Sequence, residues 1–200
     1  MDLSGGNGEI RMEFCWVLPD NSTIYKTDNI KQFYERNIEE AKTAESCGFC
    51  STLISSTPES LDPWILATKI AECTKNIRLV VAQNSNHMLP SYTAKAANTL
   101  NFISGNRVDI NVVTGSSVSS ISKNSKFEDH TKRYLRTSEY VEVLKRIYSG
   151  NCSFKGKFYE LSNAKVFPPN DAEWCTRLFV AGSSNEAAQI AARFGDMNLT

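Results

Sequence analysis

The sequence predicts an α/β protein whose parallel sheet curls as in a (β/α)8 TIM barrel, and three observations lead to this fold class. Strand-like apolar runs alternate with amphipathic helices roughly every 30–40 residues, which is the pattern of consecutive βαβ units. Runs such as Leu79–Ala82 are apolar without alternation, as in strands that helices cover on both faces. The first strand leads into Leu18-Pro19-Asp20-Asn21, and not into the Gly-x-Gly-x-x-Gly turn of a doubly wound dinucleotide-binding sheet.

The length of the chain limits how much of such a barrel it can form. A complete barrel takes about 250 residues, whereas this chain has 200. We therefore expect residues 12–200 to form an incomplete barrel of about six strands and five helices. The polar, Gly-rich segment 1–11 is predicted to be a disordered leader.

The first three strand–helix pairs follow from apolar runs that end at polar residues or at structure breakers. Met12–Leu18 is apolar up to Pro19, and the next helix is predicted from Asp28, its N-cap, to about Cys47. Apolar side chains recur along that helix at helical spacing, at Ile30, Phe33, Tyr34, Ile38, Ala41 and Ala44. The elements that follow are the strand Phe49–Ile54, the helix Asp62–Thr74, the strand Ile77–Ala82 and the helix Ser91–Phe102.

The second half of the chain repeats the pattern around an insertion. The strand Arg107–Val113 precedes a Gly- and Ser-rich segment, Thr114–Phe127, and a long helix at about Thr131–Tyr148. The insertion Asn151–Val166 has the pattern of a hairpin, with Lys155-Gly156-Lys157 as its turn. The last elements are the strand Arg177–Ala181, the helix Ser183–Phe194 and the start of a sixth strand at Asp196–Thr200.

Charge and hydropathy exclude several classes of partner. The formal net charge is zero and both signs are interspersed, which argues against nucleic acid or an anionic membrane surface as the main partner. No apolar run approaches the roughly 20 residues that a membrane-spanning helix needs. The polar residues 1–13 lack the apolar core of a secretory signal. We therefore expect a cytoplasmic protein that binds neither nucleic acid nor membranes.

The six cysteines are predicted to be reduced and buried, because they fall within predicted strands and helices more than within loops. Two of them form the motif Cys47-Gly48-Phe49-Cys50, which has the spacing of thioredoxin-like redox sites. Gly48 here has the position of a residue that ends a helix, so the structural interpretation of this motif is favoured.

Two separate segments have the composition of an anion site. In Asp129-His130-Thr131-Lys132-Arg133-Tyr134, helical spacing puts His130 and Tyr134 on one face. Gly182-Ser183-Ser184 lies at the start of a predicted helix, where the backbone N–H groups and the helix dipole favour an anion. Each segment has an alternative: Ser183 could cap its helix, and Asp129 could cap the other while His130 is solvated.

In a barrel, active-site residues lie just after the carboxyl ends of the strands. This predicted rim is rich in hydroxyls and amides, with Asp62 as its one obvious carboxylate, which could equally be a helix N-cap. The sequence has no His/Cys cluster at metal spacing and no evident Ser–His–Asp triad. A rim of neutral donors suits a large polar cofactor that supplies its own reactivity. The predicted rim comprises Asn21, Ser55–Asp62, Asn84–His87, Thr114–Ser117 and Gly182–Ser184.

Several segments together resemble one family, in its order and spacing. They are Phe14–Pro19, Gly48-Phe49, Leu53-Ile54 with Asp62-Pro63-Trp64, Asn111–Ser116, Asp129–Tyr134, Phe154–Lys157 and Val180–Ser184. Over roughly residues 12–200 the chain resembles the bacterial luciferase-like flavin monooxygenases, most closely the alkanesulfonate monooxygenase branch.

The resemblance implies a cofactor, a set of partners and a reaction. Members of this family use reduced FMN that a separate NAD(P)H-dependent reductase supplies, and the flavin reacts with O2 to form a flavin peroxide that oxygenates a small organic substrate. Family members are commonly oligomers, so we expect a homo-oligomer or a C-terminal segment that completes the barrel.

The resemblance also implies roles for individual residues. The phosphate and ribityl chain of FMN would be held by His130, Tyr134, Ser183 and Ser184, next to Gly182. The isoalloxazine side would be lined by Asp62, Asn84 and Thr114.

Three positions depart from the sulfonate branch. Asn21 stands where those enzymes have a histidine, Ser60 where they have a cysteine and Asn84 where they have an arginine. Asn21 and Ser60 are thus substrate-side candidates, and the loss of two cationic side chains predicts a less acidic substrate than a sulfonate. The family's main catalytic candidates correspond to positions beyond residue 200. A truncated or non-catalytic flavin-binding protein, or a fragment that binds nothing and folds poorly alone, are therefore the alternatives to a complete enzyme.

Overall fold

One curled parallel sheet, covered by helices, dominates the computed structural model, which describes residues 12–21, 29–115, 129–150, 152–170 and 176–200. The strands are β1 (Cys15–Val17), β2 (Ser51–Ile54), β3 (Arg78–Asn84), β4 (Val108–Val113), β5 (Cys152–Lys155), β6 (Glu160–Ala164), β7 (Leu178–Ala181) and β8 (Met197–Leu199). The helices are α1 (Ile30–Ser46), α2 (Pro63–Cys73), α3 (Pro90–Ser104), α4 (His130–Tyr148) and α5 (Asn185–Phe194).

The large sheet has the strand order β1-β2-β3-β4-β7-β8, and every neighbouring pair is parallel. The strands therefore follow chain order, with a helix after β1, β2, β3, β4 and β7, as in part of a (β/α)8 barrel. The predicted fold class is confirmed, and the two remaining strands, β5 and β6, form the predicted antiparallel hairpin.

Several predicted element ends are wrong, for identifiable reasons. The first strand is shorter than Met12–Leu18, because only Cys15–Val17 pair in register with β2, while Met12 and Phe14 lie outside the strand. The third strand runs two residues further than predicted, since Gln83 and Asn84 pair with the end of β4. The N-cap of α1 is Asn29, whose Oδ1 accepts the Gln32 N–H at 3.0 Å, whereas Asp28 lies outside the described residues, as does the segment 1–11.

The motif Cys47-Gly48-Phe49-Cys50 ends α1 and does not form a redox pair. Gly48 has φ +84°, its N–H donates to the Glu45 carbonyl, and the Phe49 N–H donates to the Ala44 carbonyl, both at 3.0 Å. These are the two bonds of a Schellman C-cap, which favours glycine at this position. The predicted helix end is confirmed, while the strand begins at Ser51 instead of Phe49.

The cysteines of the described residues are free thiols, but the prediction that they are buried is confirmed only for Cys152. Cys15 and Cys47 are exposed, Cys50 and Cys73 are partly exposed, and Cys175 lies outside the described residues. Cys15 lies on β1, at the open edge of the sheet, where no further described strand covers it.

Register decides which side chains point into the concave interior of the sheet. Ala82 of β3 pairs with Asn111 of β4, and Asn111 pairs with Phe179 of β7, so these three side chains share the interior face. The alternate residues Val81, Ile110 and Val180 are fully or almost fully buried against the helices. These helix-facing side chains therefore belong to the core, and the interior face is left to form a site.

The β5–β6 hairpin is fixed to α4 by one carboxylate. Glu139 accepts the backbone N–H groups of Lys157 and Phe158 at 2.8 Å and of Tyr159 at 3.3 Å. The buried Tyr159 then donates from Oη to the Ser85 carbonyl at 3.2 Å. The hairpin thus supports the end of β3, where the interior cavity begins.

Candidate functional site

A cavity of about 710 Å³ opens at the carboxyl ends of β2, β3, β4 and β7. This is the end of the strands at which the sequence analysis placed the functional rim. Six of the predicted site residues line it: Ser60, Asp62, Asn84, Thr114, Tyr134 and Gly182. Asn21, His130, Ser183 and Ser184 lie nearby but are not among its lining residues.

The start of α4 presents an aromatic pair beside the cavity. Asp129 caps the helix, with its Oδ1 accepting the Lys132 N–H at 2.9 Å. One turn of helix separates His130 from Tyr134, and their ring centroids are 4.6 Å apart. Tyr134 is half-buried and lines the cavity, whereas His130 is exposed. The alternative in the sequence analysis is therefore observed, because Asp129 is the cap and His130 is exposed. The anion site of His130 and Tyr134 stays a prediction.

Gly182 is the point where the two predicted anion segments meet. Its φ of +135° lies in a region that side chains rarely adopt, and a Cβ there would lie 3.3 Å from Tyr134 Oη and 3.0 Å from the Ala187 Cβ. Its N–H donates to the Leu199 carbonyl and its carbonyl accepts from Asn198 Nδ2, both at 2.9 Å. The Gly182 peptide is thus held from β8 while it packs against the tyrosine hydroxyl.

The residue that caps α5 is Ser184, and the expectation that Ser183 could be the cap is wrong. Ser184 Oγ accepts the Ala187 N–H at 3.2 Å, and Ser183 is exposed one position earlier. An N-cap side chain accepts the N–H of the residue two or three positions later, as Ser184 does here.

A carboxylate already lies at this helix end. The pKa of the exposed Glu186 carboxyl is lowered, first by its own backbone N–H, then by the Ser184 hydroxyl and by the charge of His130. His130 and Ser184 are therefore neighbours of one α5 terminus, although they are more than fifty residues apart in the chain. The same terminus carries a negative side chain that sequence analysis did not consider.

Two buried polar atoms at the cavity have no hydrogen-bond partner within the described part of the chain. They are Asn111 Oδ1 and Thr114 Oγ1, on side chains that are 4% and 6% exposed. Buried polar groups are rarely left unpaired, so these two atoms are candidates to bind a ligand. Asn111 was missed because it lies within β4 and not after it. Its amide side chain within a strand that is largely apolar was the available signal.

Asn84 joins the ends of two strands at the cavity. Its Oδ1 accepts both the backbone N–H and the side-chain Nδ2 of Asn86 at 3.0 Å, and Asn86 Nδ2 also donates to the Thr114 carbonyl at 3.2 Å. These bonds fix the position of Thr114 relative to β3. Asn84 therefore supports the lining as well as contributing to it.

Two loops, after β1 and after β2, form one hydrogen-bonded outer wall. The Asn21 N–H donates to the Glu59 carbonyl at 3.0 Å, and Thr57 Oγ1 donates to Asp20 Oδ2 at 3.3 Å. Ser60 Oγ accepts the Thr57 N–H at 3.0 Å and donates to the Thr57 carbonyl at 2.9 Å. We use "outer wall" for Asp20, Thr57, Glu59 and Ser60, all of which line the cavity.

The expectation that Asp62 is the one obvious carboxylate of the rim is wrong. Asp20 and Glu59 also line the cavity. Asp62 itself caps α2, because its Oδ1 accepts the Trp64 and Ile65 N–H groups at 3.0 Å. It therefore lines the cavity and serves as the N-cap that the sequence allowed.

The described residues hold no cluster of His, Cys, Asp or Glu that could bind a metal ion, and no helix among them is long and apolar enough to cross a membrane. No Lys or Arg occurs among the described residues that line the cavity. Arg133 approaches from α4, where its Nη1 donates to the Gly115 carbonyl at the cavity edge. The lining of this part of the cavity is thus neutral or acidic.

Comparisons with known proteins place this half-barrel in a family. The chain matches the sequence model of the family "Luciferase-like monooxygenase" over residues 12–200. It is 30% identical over 175 residues to 4-(gamma-L-glutamylamino)butanoyl-(BtrI acyl-carrier protein) monooxygenase BtrO of Niallia circulans, which covers 85% of this chain and 51% of BtrO. The chain thus spans about half the length of this curated relative.

Solved structures share the same fold. EDTA monooxygenase (EmoA) from Chelativorans sp. BNC1 superposes with a TM-score of 0.81 at 20% identity, covering 94% of this chain and 55% of EmoA. An F420-dependent secondary alcohol dehydrogenase superposes with a TM-score of 0.76 at 18% identity, covering 94% of this chain and 58% of that enzyme. From the extent of the family match, the chain belongs to the luciferase-like monooxygenases.

Proposed function

We propose that this protein is an FMN-dependent monooxygenase that oxygenates a small organic substrate, alkanesulfonate-like or related. The observation that carries the proposal is the meeting of Tyr134, Gly182 and the N-terminus of α5 beside a cavity of about 710 Å³. A helix N-terminus with a close backbone approach is a common phosphate site. The cavity next to it has room for a ring system.

Contacts among these residues support FMN as the cofactor. His130, Tyr134, Ser183 and Ser184 would hold the phosphate and ribityl chain, since Tyr134 contacts the Gly182 turn and His130 lies near the same helix end. Asp62, Asn84 and Thr114 would line the ring side, where the unpartnered Thr114 Oγ1 and Asn111 Oδ1 need hydrogen-bond partners.

Bound reduced flavin supplies the electrons that reduce O2 and so brings the reactivity that this lining lacks. The protein's own groups then have the tasks of orienting the ring and excluding water. Asn84 and Asn86 hold Thr114 in place, and Asn198 holds the Gly182 carbonyl. His87 is the one imidazole among the described lining residues.

FMN is the cofactor that the family resemblance implies, although F420-dependent proteins share the fold. The exposed Glu186 carboxylate at the α5 terminus would repel the phosphate of either cofactor, so the titration described below has to separate the two. The further partners of this proposal are O2, an NAD(P)H:flavin reductase, and either other copies of the chain or a segment that completes the barrel.

Equilibrium titration tests cofactor binding. FMN, anaerobically reduced FMN, riboflavin and F420 are titrated into the protein, with flavin fluorescence or absorbance as the readout. We expect FMN to bind at least about tenfold tighter than riboflavin, because only FMN has the phosphate. Tyr134→Phe should weaken FMN specifically, while the matched Tyr92→Phe change, at an exposed tyrosine of α3, should not. Equal affinity for FMN and riboflavin would rule out the phosphate site.

A non-catalytic flavin-binding protein is the second candidate, because the described lining offers few groups for substrate chemistry. Oxygen uptake separates the two. With NADH, a flavin reductase and catalase present, the enzyme consumes additional O2 only when its substrate is added. A protein that binds FMN but never increases O2 uptake across a broad substrate panel would be a flavin carrier.

A further inference from the structure

We propose that the β5–β6 hairpin positions the ring side of the cavity, and that Tyr159 is the positioning residue through which it acts. Tyr159 is not among the described residues that line the cavity. It contacts the backbone of Ser85, which directly follows Asn84 at the end of β3. The inference rests on the proposed function for the identity of the ligand, whereas the positioning itself follows from contacts between described residues.

Ser85 is held by three different elements. Its N–H donates to the Val113 carbonyl of β4 at 3.1 Å, and its hydroxyl shares a hydrogen bond of 2.9 Å with the hydroxyl of Thr137 on α4. Its carbonyl accepts from Tyr159 Oη at 3.2 Å. Ser85 and Thr137 are both buried, and hydrogen bonds are stronger where water is excluded. The hairpin thus provides one of the three bonds that fix this residue.

Ser85 lies in the turn that carries the lining residues Asn84 and His87. The His87 N–H donates to the Asn84 carbonyl and the Asn86 N–H donates to Asn84 Oδ1, both at 3.0 Å. Asn86 Nδ2 also donates to the Thr114 carbonyl at 3.2 Å. Because these bonds join the turn to the end of β4, a shift of the Ser85 carbonyl also displaces Asn84 and Thr114, which are the groups proposed for the ring side.

The hairpin can hold Tyr159 in place because it is anchored on α4. Glu139 accepts three successive N–H groups of the hairpin turn, and charge-assisted bonds of this kind are the stronger ones. Within the turn, the Gly156 N–H donates to the Tyr159 carbonyl at 2.9 Å. The Tyr159 ring packs edge-on against the Tyr140 ring, with centroids 5.9 Å apart. Tyr159 Oη is therefore held in a defined position at the end of β3.

The substitution Tyr159→Phe tests this role, because it removes only the hydroxyl that bonds to Ser85. We expect FMN and riboflavin to bind about three- to tenfold more weakly, and by the same factor, since both contain the ring. Tyr134→Phe, in contrast, should weaken the binding of FMN alone. Flavin fluorescence titration well below the thermal midpoint of each variant measures both affinities.

Tyr140→Phe is the matched control, since it removes a buried hydroxyl of the same cluster and keeps the ring that packs against Tyr159. Tyr140 Oη bonds to Thr93 Oγ1 of α3 at 2.5 Å, and not to the turn after β3. Loss of this bond should lower the thermal midpoint, as expected of a purely structural hydroxyl. Both flavin affinities should stay within about twofold of the parent protein.

Amide hydrogen exchange of the flavin-free protein gives a second measurement that does not depend on flavin binding. In Tyr159→Phe, a peptide that spans residues 84–88 should exchange several-fold faster than in the parent protein, because the turn after β3 opens more often. The same peptide should exchange at the parent rate in Tyr140→Phe. Peptides from α1 should exchange alike in all three proteins.

The outcomes separate this inference from the proposed function. Unchanged flavin affinities in Tyr159→Phe, a loss for FMN alone, or an equal loss in Tyr140→Phe would overturn the inference, while FMN binding by the parent protein leaves the proposed function standing. If the parent protein binds neither flavin, the proposed function fails and hydrogen exchange decides this inference. Faster exchange of residues 84–88 in Tyr159→Phe alone then supports it, and unchanged exchange overturns it.

Discussion

Gly182 occupies a position that no other residue can take without moving the candidate phosphate site. At φ +135° a side chain is strained, and its Cβ would press on Ala187 and approach the Tyr134 hydroxyl. We predict that Gly182→Ala lowers the free energy of unfolding by about 1–3 kcal/mol. It should also weaken FMN binding by at least about tenfold, since Tyr134 must move.

Gly48 provides the matched control for this substitution. It also has a positive φ, +84°, but a Cβ there would meet nothing within 4 Å. Gly48→Ala should therefore cost about 1–2 kcal/mol of stability through backbone strain and leave FMN affinity unchanged in the folded protein. Urea unfolding and FMN titration of both variants check the prediction, which fails if the two variants bind FMN alike.

Glu186 competes with any anion at the start of α5. Its carboxylate lies near His130 and the Ser184 hydroxyl, which are the groups proposed for the phosphate. Glu186→Gln removes this repulsion, so we predict that FMN binds a few-fold tighter at low salt while riboflavin affinity stays the same. Fluorescence titration at low and high salt measures the effect, which should fade as salt rises.

The control for Glu186 is a carboxylate away from the site. Glu142, which pairs with Arg146 at 2.7 Å on the later part of α4, can be changed to glutamine without altering the α5 terminus. A comparable gain in FMN affinity from Glu142→Gln would mean that net charge and not local repulsion is responsible.

At the residue scale, sequence reasoning found the groups whose placement depends on local periodicity. The pairing of His130 with Tyr134 follows from one helical turn and could be predicted. Asn111 and Asp20 could not, because their position at the cavity depends on strand register and on bonds between two loops. The position of Glu186 beside this site could not be predicted either, since its neighbour His130 belongs to a different helix.

At the element scale, Glu45 joins the end of α1 to the turn between α2 and β3. Its Oε1 accepts the N–H groups of Lys75, Asn76 and Ile77 at 2.8, 2.6 and 2.9 Å. Desolvation would raise the pKa of this carboxyl, but the three N–H donors outweigh it, so the pKa is lowered. The ionised form is therefore the one that stabilises the fold.

This gives a pH dependence with a definite sign. A depressed folded pKa contributes stability above the ordinary value of about 4.3, and this contribution is lost as the pH falls through the folded pKa. We predict that Glu45→Gln lowers the free energy of unfolding by about 1–2 kcal/mol at pH 7. The difference from the parent protein should diminish in acid.

Urea unfolding between neutral and acidic pH measures this difference. Glu39→Gln on the same helix is the control, because Glu39 forms an exposed i,i+3 ion pair with Lys42 and should change stability by less than about 0.5 kcal/mol. A deficit of Glu45→Gln that stays constant down to the acid limit would contradict the pH dependence.

The identity of the helices and strands could be predicted from the apolar pattern, whereas the residues at which they begin and end depend on specific contacts. The β1 strand is shorter than its apolar run because only Cys15–Val17 pair in register with β2. The α5 cap is Ser184 because only that hydroxyl is three residues before the Ala187 N–H. Such details follow from hydrogen bonding that a hydropathy pattern does not specify.

At the scale of the whole molecule, the six-stranded arc exposes part of its interior. Apolar side chains on the interior face of its two edge strands, Val17 and Met197, are 57% and 49% exposed, whereas the helix-facing Val81, Ile110 and Val180 are buried. The alternation of strands and helices was enough to predict the arc. Its register was not predictable, because it depends on cross-strand contacts. The expectation that the chain folds poorly without a completing segment stays a prediction.

At the N-terminal end of the sheet, which we call the charged floor, one buried carboxylate on β4 bonds to Arg78 at the start of β3 and to Arg177 directly before β7. Asp109 is fully buried on β4 and accepts from Arg78 Nε and Nη2 at 2.8 and 2.7 Å. It also accepts from Arg177 N, Nε and Nη2 at 3.0, 3.2 and 2.8 Å. Arg177 in turn lies 3.4 Å from Glu13, before β1, so the network spans the sheet.

We predict that Asp109→Asn lowers the free energy of unfolding by about 3 kcal/mol, because two partly buried guanidinium groups lose their counter-charge while the side-chain volume hardly changes. The control Glu160→Gln, in an exposed pair 3.9 Å from Lys155, should cost less than about 0.5 kcal/mol. Since Asp109 lies at the opposite end of β4 from Thr114, FMN affinity of the folded variant should change by less than about threefold. Urea midpoints and FMN titrations below the transition measure both quantities. A stable Asp109→Asn variant would show that the helix-facing core, and not the charged floor, holds the arc together.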